Sequence, residues 1–371
     1  MTILLAPDKF KGALSAAAVC AALAAGIRAV QPDVRLILKP LADGGDGSLA
    51  VLRHYEKLER VEKRVSDPLG RSITAHYYRA GHRAYVELAV ASGLASLAQT
   101  ERHCATASAY GTGELIADAL TRGAIEIYLF IGGSATNDAG TGIAAALGYR
   151  FLDATGRPVQ PVGKYLERIT HIDATHRCFN PADVRFQVIC DVDNPFHGPL
   201  GAARVYAPQK GADPATVAAL DRGLAHFARV LVAQGYPNVA HLPGAGAAGG
   251  IGGGAVALLG AELRSGFTVF EELTQLEAAV ANSGLVITGE GKLDAQTARG
   301  KVVSGVCALA RRHRKPVIAV CGDAERPADS RLGLRALYTV RERSASITEA
   351  MGDAAAKLEL IGREMGREGL P

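Results

Sequence analysis

The sequence predicts an α/β protein: a flavodoxin-like domain on a parallel sheet, with a second α/β domain inserted into it. Three observations carry that expectation. At both ends of the chain, apolar β-branched runs alternate with segments of helical spacing, the pattern of a helix-covered parallel sheet. The middle has a different texture, with short strands and tight turns. Polar, glycine-rich turns follow most of the apolar runs, where ligands of parallel sheets sit.

The elements follow in order. Residues 2–6 read as a strand and run into Pro7-Asp8-Lys9-Phe10-Lys11-Gly12. Ser15 reads as the N-cap of a helix in which Val19, Leu23 and Ile27 recur at helical spacing, and Pro32 ends it. A second strand, 34–38, leads to the turn around Asp43 and Asp46, and another helix begins near Ser48. Lys9, Lys11, Asp43 and Asp46 therefore fall on one rim. Residues 61–65, 72–78 and 84–88 read as hairpin-like strands. A glycine turn at 110–114 opens a helix over 115–121, which leads into the stretch 125–147. There a buried strand, 125–131, stops at Gly132-Gly133-Ser134, and Thr136-Asn137-Asp138 precede an Ala-rich helix. Paired glycines and a helix N-terminus make a concavity for an anion; the plainer reading is a turn capped by Asn137 or Asp138. Strands at 151–153 and 186–190, a helix at 217–233, a buried strand at 285–288 ending in a glycine turn, a helix at 301–312 and strands at 317–321 and 337–340 follow. The last helix has Ser346 and Glu349 as a capping box, and Ile347, Met351, Ala354, Leu358, Ile361 and Met365 form one apolar face. Residues 1–65 and 283–371 are thus expected to form the flavodoxin-like domain, and 66–282 the inserted domain carrying the loops at 132–138 and 244–250.

Composition narrows the function classes. The 371 residues suit two or three domains and a large core. Trp is absent and the net charge is only +4, which argues against nucleic acid as a partner. The basic cluster 311–315 suits a helix C-terminus. The six cysteines show no C-x-x-C or zinc spacing and sit mostly in apolar runs. That fits a reducing compartment, and the opening strand shows no signal-peptide pattern, so a cytoplasmic location is expected. Residues 242–261 are uncharged over 20 positions, but eight are glycine, so no membrane span is expected.

Eight polar glycine turns occur in all, at 8–12, 43–47, 110–114, 132–138, 191–194, 209–211, 244–250 and 289–294. Together they offer backbone N–H cradles, lysines and carboxylates. That mixture suits a phosphorylated ligand held with Mg²⁺. There is no Walker loop. Gly244-Ala245-Gly246-Ala247-Ala248-Gly249 matches G-x-G-x-x-G, but a poor strand precedes it.

The motifs Ala6-Pro7-Asp8-x-Phe10-Lys11-Gly12, Ala42-Asp43-Gly44-Gly45-x-Gly47, Tyr110-Gly111-Thr112-Gly113-Glu114, the run 131–138, Cys190-Asp191-Val192, Pro208-Gln209-Lys210-Gly211, the run 244–250 and Thr288-Gly289-Glu290-Gly291 stand in one order from residue 2 to about 340. In these the chain resembles the bacterial glycerate kinases of the GarK/GlxK type. The resemblance implies phosphorylation of D-glycerate by ATP with Mg²⁺, 2-phosphoglycerate as the product, and two α/β domains with the site between them. Lys9, Asp46 and Ala139 depart from the residues usual in that family.

Roles follow from chemistry. A neutral hydroxyl attacks, so a positioned carboxylate takes its proton. Asp191 is the expected base, with a turn cap as the alternative; Lys11 and Asp8 complete the catalytic set. Asp43, Asp46, Glu290 and Asp294 are the Mg²⁺ candidates, of which one or two suffice. Gly132, Gly133 and Ser134 would form an anion nest, with Thr136, Asn137 and Asp138 in the same loop. Lys210 and Lys301 would balance phosphate or the glycerate carboxylate, and Gly246, Gly249, Gly250, Gly289 and Gly291 would add backbone N–H groups. His103, His171 and His197 read as surface histidines. The rival readings are a dinucleotide-dependent oxidoreductase using 244–249 and a non-catalytic two-domain ligand-binding protein. A monomer or a homodimer is equally compatible with the sequence.

Overall fold

The computed structural model describes residues 1–45, 47–294, 297, 302–325 and 332–368. It forms two compact units, Met1–Tyr55 with Ser265–Pro371, and Glu56–Arg264.

In the unit made from both chain ends, five strands lie parallel in the order Ala336–Thr339, Val317–Cys321, Leu285–Thr288, Thr2–Leu5, Arg35–Leu38. Counted along this unit the order is 2-1-3-4-5, the flavodoxin-like arrangement. Side chains alternate between two cores. Ile3, Leu5, Leu285 and Ile287 face the helices Ala16–Arg28 and Ala354–Arg367, while Leu4, Val286 and Ala319 pack with Val302, Val303 and Val306. Burial on both faces is why these strands read as unbroken apolar runs. Ser15 caps the first helix, its Oγ accepting from the Ala18 N–H at 3.2 Å. This helix packs closely on the last one: a side chain at Gly26 would strike the Glu359 carbonyl.

The apolar face expected to continue from Ile347 to Met365 is interrupted. The segment forms two helices, Ile347–Gly352 and Ala354–Arg367, meeting at Asp353. Leu358, Ile361 and Met365 are buried against Ala16–Arg28, but Ile347 and Met351 remain exposed. One half of the expected capping box forms, the Glu349 N–H donating to Ser346 Oγ at 3.1 Å, while the Glu349 carboxylate accepts from the Ala345 N–H at 2.7 Å.

The other unit holds a six-stranded sheet in the order Glu262–Arg264, Arg185–Ile189, Glu126–Phe130, Arg83–Glu87, Ser72–Ala80, Glu59–Ser66. The first four strands are parallel, and the hairpin at the edge is antiparallel. Asp67 shapes the hairpin turn, its carboxylate accepting from the Leu69 and Arg71 N–H groups at 2.9 and 2.8 Å. The expected glycine turn at 110–114 is instead the start of the helix Tyr110–Thr121. Its glycines admit close packing: a side chain at Gly111 would strike the Ser66 carbonyl. The uncharged stretch contains the helix Ala247–Leu259, interrupted by three successive left-handed residues, Ala248, Gly249 and Gly250. Among the described residues no helix is long and apolar enough to cross a membrane.

Candidate active site

A parallel sheet offers a ligand crevice where chain connections leave neighbouring strands in opposite directions. In the unit of the two chain ends that point lies between Thr2–Leu5 and Leu285–Thr288. Asp8 and Glu290 follow the carboxyl ends of these two strands. The Asp8 N–H donates to the Gly289 carbonyl at 2.8 Å, and Thr288 Oγ1 donates to the Ala6 carbonyl at 2.9 Å, so the two turns are stitched together. A side chain at Gly289 would strike the Val320 carbonyl, and one at Gly291 would come within 3.0 Å of the Lys11 backbone nitrogen. Both glycines therefore bring backbones together beneath the crevice.

The crevice opens as a cleft of about 470 Å³ in which Asp8, Lys11, Asp43, Glu290 and Asp294 meet. Asp8 is only 7% exposed. Burial, reinforced by Asp43 and Glu290, pushes its carboxyl up to about 7, against the Lys9 N–H, which donates to Oδ1 at 2.6 Å, and the Lys9 ammonium. Asp43 Oδ1 accepts from the Gly45 N–H at 3.0 Å and stands 3.9 Å from Lys9 Nζ. Glu290 Oε1 accepts from Thr297 Oγ1 at 2.6 Å, and the same hydroxyl accepts from the Asp294 N–H at 3.0 Å. Thr297, which bonds the Glu290 carboxylate and the Asp294 backbone, was not singled out in the sequence; the D-x-x-T spacing of Asp294 and Thr297 carries no standard signal. Among the described residues no three His, Cys, Asp or Glu side chains are grouped to hold a metal ion. Asp46 and Lys301 lie outside the described residues.

The second constellation belongs to the middle unit, after its central strand Glu126–Phe130. Gly132 and Gly133 are exposed, and Gly133 has φ +73°. Ser134, Thr136, Asn137 and Asp138 are buried. Lys210 reaches them from a short 3₁₀ turn, its Nζ donating to Ser134 Oγ at 2.6 Å and to the Thr136 carbonyl at 2.8 Å. The ammonium is 3% exposed, and burial draws it down to about 8; the nearby Cys104 and Asp138 oppose that shift. Sequence reasoning missed Cys104, whose N–H donates to the Lys210 carbonyl at 3.2 Å; its polar neighbours Arg102, His103 and Thr106 give no sign of a buried thiol.

Asp138 has a structural task. Its carboxylate accepts from the Ala109 N–H at 2.8 Å and the Gly140 N–H at 3.2 Å, tying the starts of the helices Tyr110–Thr121 and Thr141–Ala146 together. Burial raises its carboxyl, and these N–H groups counter the rise. Thr136 Oγ1 and both polar atoms of the Asn137 side chain are buried without a hydrogen-bond partner. Orphaned polar atoms of this kind are costly and point to a missing partner, water or ligand.

The glycines at 246, 249 and 250 are buried packing positions. A side chain at Gly246 would strike the Pro195 carbonyl, and one at Gly249 the Thr136 carbonyl. The Ala139 N–H donates to the Gly249 carbonyl at 3.1 Å, so the two irregular loops are bonded back to back. The residues before Gly244 form no strand, so the context of a dinucleotide fingerprint is absent. Asp191 is exposed, two residues past the strand Arg185–Ile189. Asn194 holds its own loop, donating to the Leu200 carbonyl at 2.8 Å and accepting from the Tyr206 hydroxyl at 2.6 Å.

Comparison with known proteins agrees along the whole chain. Residues 3–368 match the Glycerate kinase family. A glycerate kinase of Halalkalibacterium halodurans is 40% identical over 98% of this chain and 97% of its own length. The glycerate 2-kinase of Escherichia coli K12 is 41% identical over 87% of this chain and 85% of its own. A solved chain from Salmonella typhimurium LT2, described as a candidate glycerate kinase 2, superposes with a TM-score of 0.87 at 37% identity, covering 99% of this chain and 98% of that one.

Proposed function

The chain belongs to the glycerate kinase family, and from that membership we infer that it transfers a phosphoryl group from ATP to D-glycerate. The near-complete match to relatives named glycerate kinase is the observation that carries this reading. The 2-hydroxyl is the proposed acceptor, supported by the name of the Escherichia coli relative, so the product is 2-phosphoglycerate.

The site residues take the following proposed roles. Asp191, exposed at a strand end, accepts the proton of the attacking hydroxyl. Asp138 is unsuited to that task, because its carboxylate is enclosed and already bonded to two N–H groups. Asp8, Asp43 and Glu290 line one cleft, where burial, reinforced by the two neighbouring carboxylates, raises the Asp8 carboxyl; such a set of oxygens is the donor chemistry of a hard divalent cation. Asp43 and Glu290 fit Mg²⁺, with Asp294 beside them; when bound, the ion neutralises charge on the phosphates. Lys11 lines the same cleft and offsets phosphate charge. Lys210, with Gly132, Gly133 and Ser134, holds an anionic group of a ligand, and the idle groups of Thr136 and Asn137 suit its oxygens.

A coupled assay tests the reading. ADP release should require both D-glycerate and Mg²⁺, and phosphorus NMR of the product should show the 2-phosphate. ADP release indifferent to D-glycerate would overturn the kinase assignment, and a 3-phosphate signal would overturn the regiochemistry alone.

A further inference from the structure

The helix Ile347–Gly352 keeps large apolar side chains outside the core. Ile347 and Met351 belong by sequence spacing to the same face as Leu358, Ile361 and Met365, yet the break at Asp353 turns them out of the core. They are 64% and 45% exposed. Both line the charged cleft at the sheet's switch point, together with Ala350 and Ala354. The same lining carries Lys9 and Lys11 on the turn after the first strand, beside the carboxylates of Asp8, Asp43 and Glu290. That turn reaches the shelf directly: Gly12 has φ +77°, and a side chain there would come within 3.1 Å of Met351 Cε.

The cleft lining thus combines apolar side chains with carboxylates and ammonium groups. A water-filled cleft gains nothing from two large exposed apolar side chains beside ammonium groups. A ligand with a flat apolar end and an anionic end suits both the apolar and the cationic members of this lining. Methionine and isoleucine give a polarisable, shape-adapting surface for an aromatic ring, and ammonium groups suit phosphate. The volume of about 470 Å³ falls within the usual range of small-ligand pockets, roughly 300–1,000 Å³. The position, beyond the carboxyl ends of strands whose connections diverge, is where mononucleotides lie on sheets of this order.

We propose that this cleft is the nucleotide subsite, with the adenine base on the shelf of Ile347 and Met351 and the phosphates toward Lys9 and Lys11. The proposal rests on the kinase reading for its ligand. Nothing in the sequence distinguished this shelf from core, because the residues that form it fit the core periodicity.

The test uses the full chain and measures binding apart from turnover. The probes are a fluorescent ADP analogue and inorganic tripolyphosphate, which has the phosphates without the base. The variants are Ile347→Glu and Met351→Glu, each placing a carboxylate on the shelf, with Met351→Ala as a milder second form should either fold poorly. Each carboxylate variant should weaken the ADP analogue by about tenfold or more, and Met351→Ala should weaken it by a smaller factor. Tripolyphosphate affinity should hold in the shelf variants and fall in Lys11→Ala. In turnover, the KM for ATP should rise with the binding constant while the KM for D-glycerate, read at saturating ATP, should not. Unchanged ADP binding in folded shelf variants overturns the proposal, as does a rise confined to the KM for D-glycerate. If the wild-type chain binds ADP in a shelf-dependent way but never phosphorylates D-glycerate, the nucleotide subsite stands and the acceptor assignment falls.

Discussion

Lys210 keeps an ammonium group in the protein interior against two neutral oxygens, Ser134 Oγ and the Thr136 carbonyl. Burial lowers its pKa to about 8 from 10.5. Between those values the unfolded chain binds more protons than the folded one, so this group makes stability rise with pH across that window. The penalty is fully present below about pH 8 and is relieved toward pH 10.5. Urea midpoints of the wild type should therefore climb relative to Lys210→Met from pH 8 to 10, by roughly 2–3 kcal/mol at most. Parallel curves for the two proteins would show that the ammonium is not held as described. Asp191 is the second residue to test. Asn keeps its size but cannot accept a proton, so Asp191→Asn should lower kcat on the order of 10²–10⁴ with KM for D-glycerate little changed. A near-normal kcat together with a stability loss of about 1 kcal/mol would identify a turn cap instead.

Elements show where the sequence was informative and where it fell short. The strands of the parallel sheets were readable because burial on both faces leaves no polar interruption, as in Leu285–Thr288. The first helix was readable from Ser15 and its apolar spacing. The glycine-rich segments were read for one use only. Gly111, Gly246 and Gly249 lie in turns read as backbone N–H cradles, and each also marks a place where another backbone passes too close for a side chain. Composition cannot separate those two uses, since both require the absent Cβ. The shelf at Ile347 escaped notice for a related reason, because periodicity reports a face and not what covers it. The packing role predicts a contrast between two glycines. Gly249→Ala combines a positive φ of +72° with a collision against the Thr136 carbonyl and should cost roughly 3 kcal/mol or more. Gly352→Ala meets nothing within 4 Å at a helix end and should be neutral or stabilising by up to about 1 kcal/mol. Urea unfolding of both variants checks the pair, and equal effects would sink the packing account.

Across the whole molecule, the two units differ in how much chain each requires. The six-stranded sheet is complete within Glu56–Arg264, whereas the five-stranded sheet draws strands from both ends. Residues 56–264 expressed alone should therefore give a dispersed amide NMR spectrum and one cooperative urea transition, while residues 1–55 alone should stay unfolded. A collapsed, non-cooperative 56–264 fragment would refute this. The parallel pairing of Thr2–Leu5 with Leu285–Thr288 also has a meaning in time. On the ribosome, the first strand emerges about 280 residues before its central partner, an interval of roughly 15–60 s at ordinary elongation rates. For that interval one edge of Thr2–Leu5 is unpaired, and the helix Ala16–Arg28 lacks its later neighbour Ala354–Arg367. The nascent N-terminus must be kept from pairing with other chains until synthesis is almost finished, so early chaperone engagement should govern the yield of this enzyme more than the stability of its finished fold.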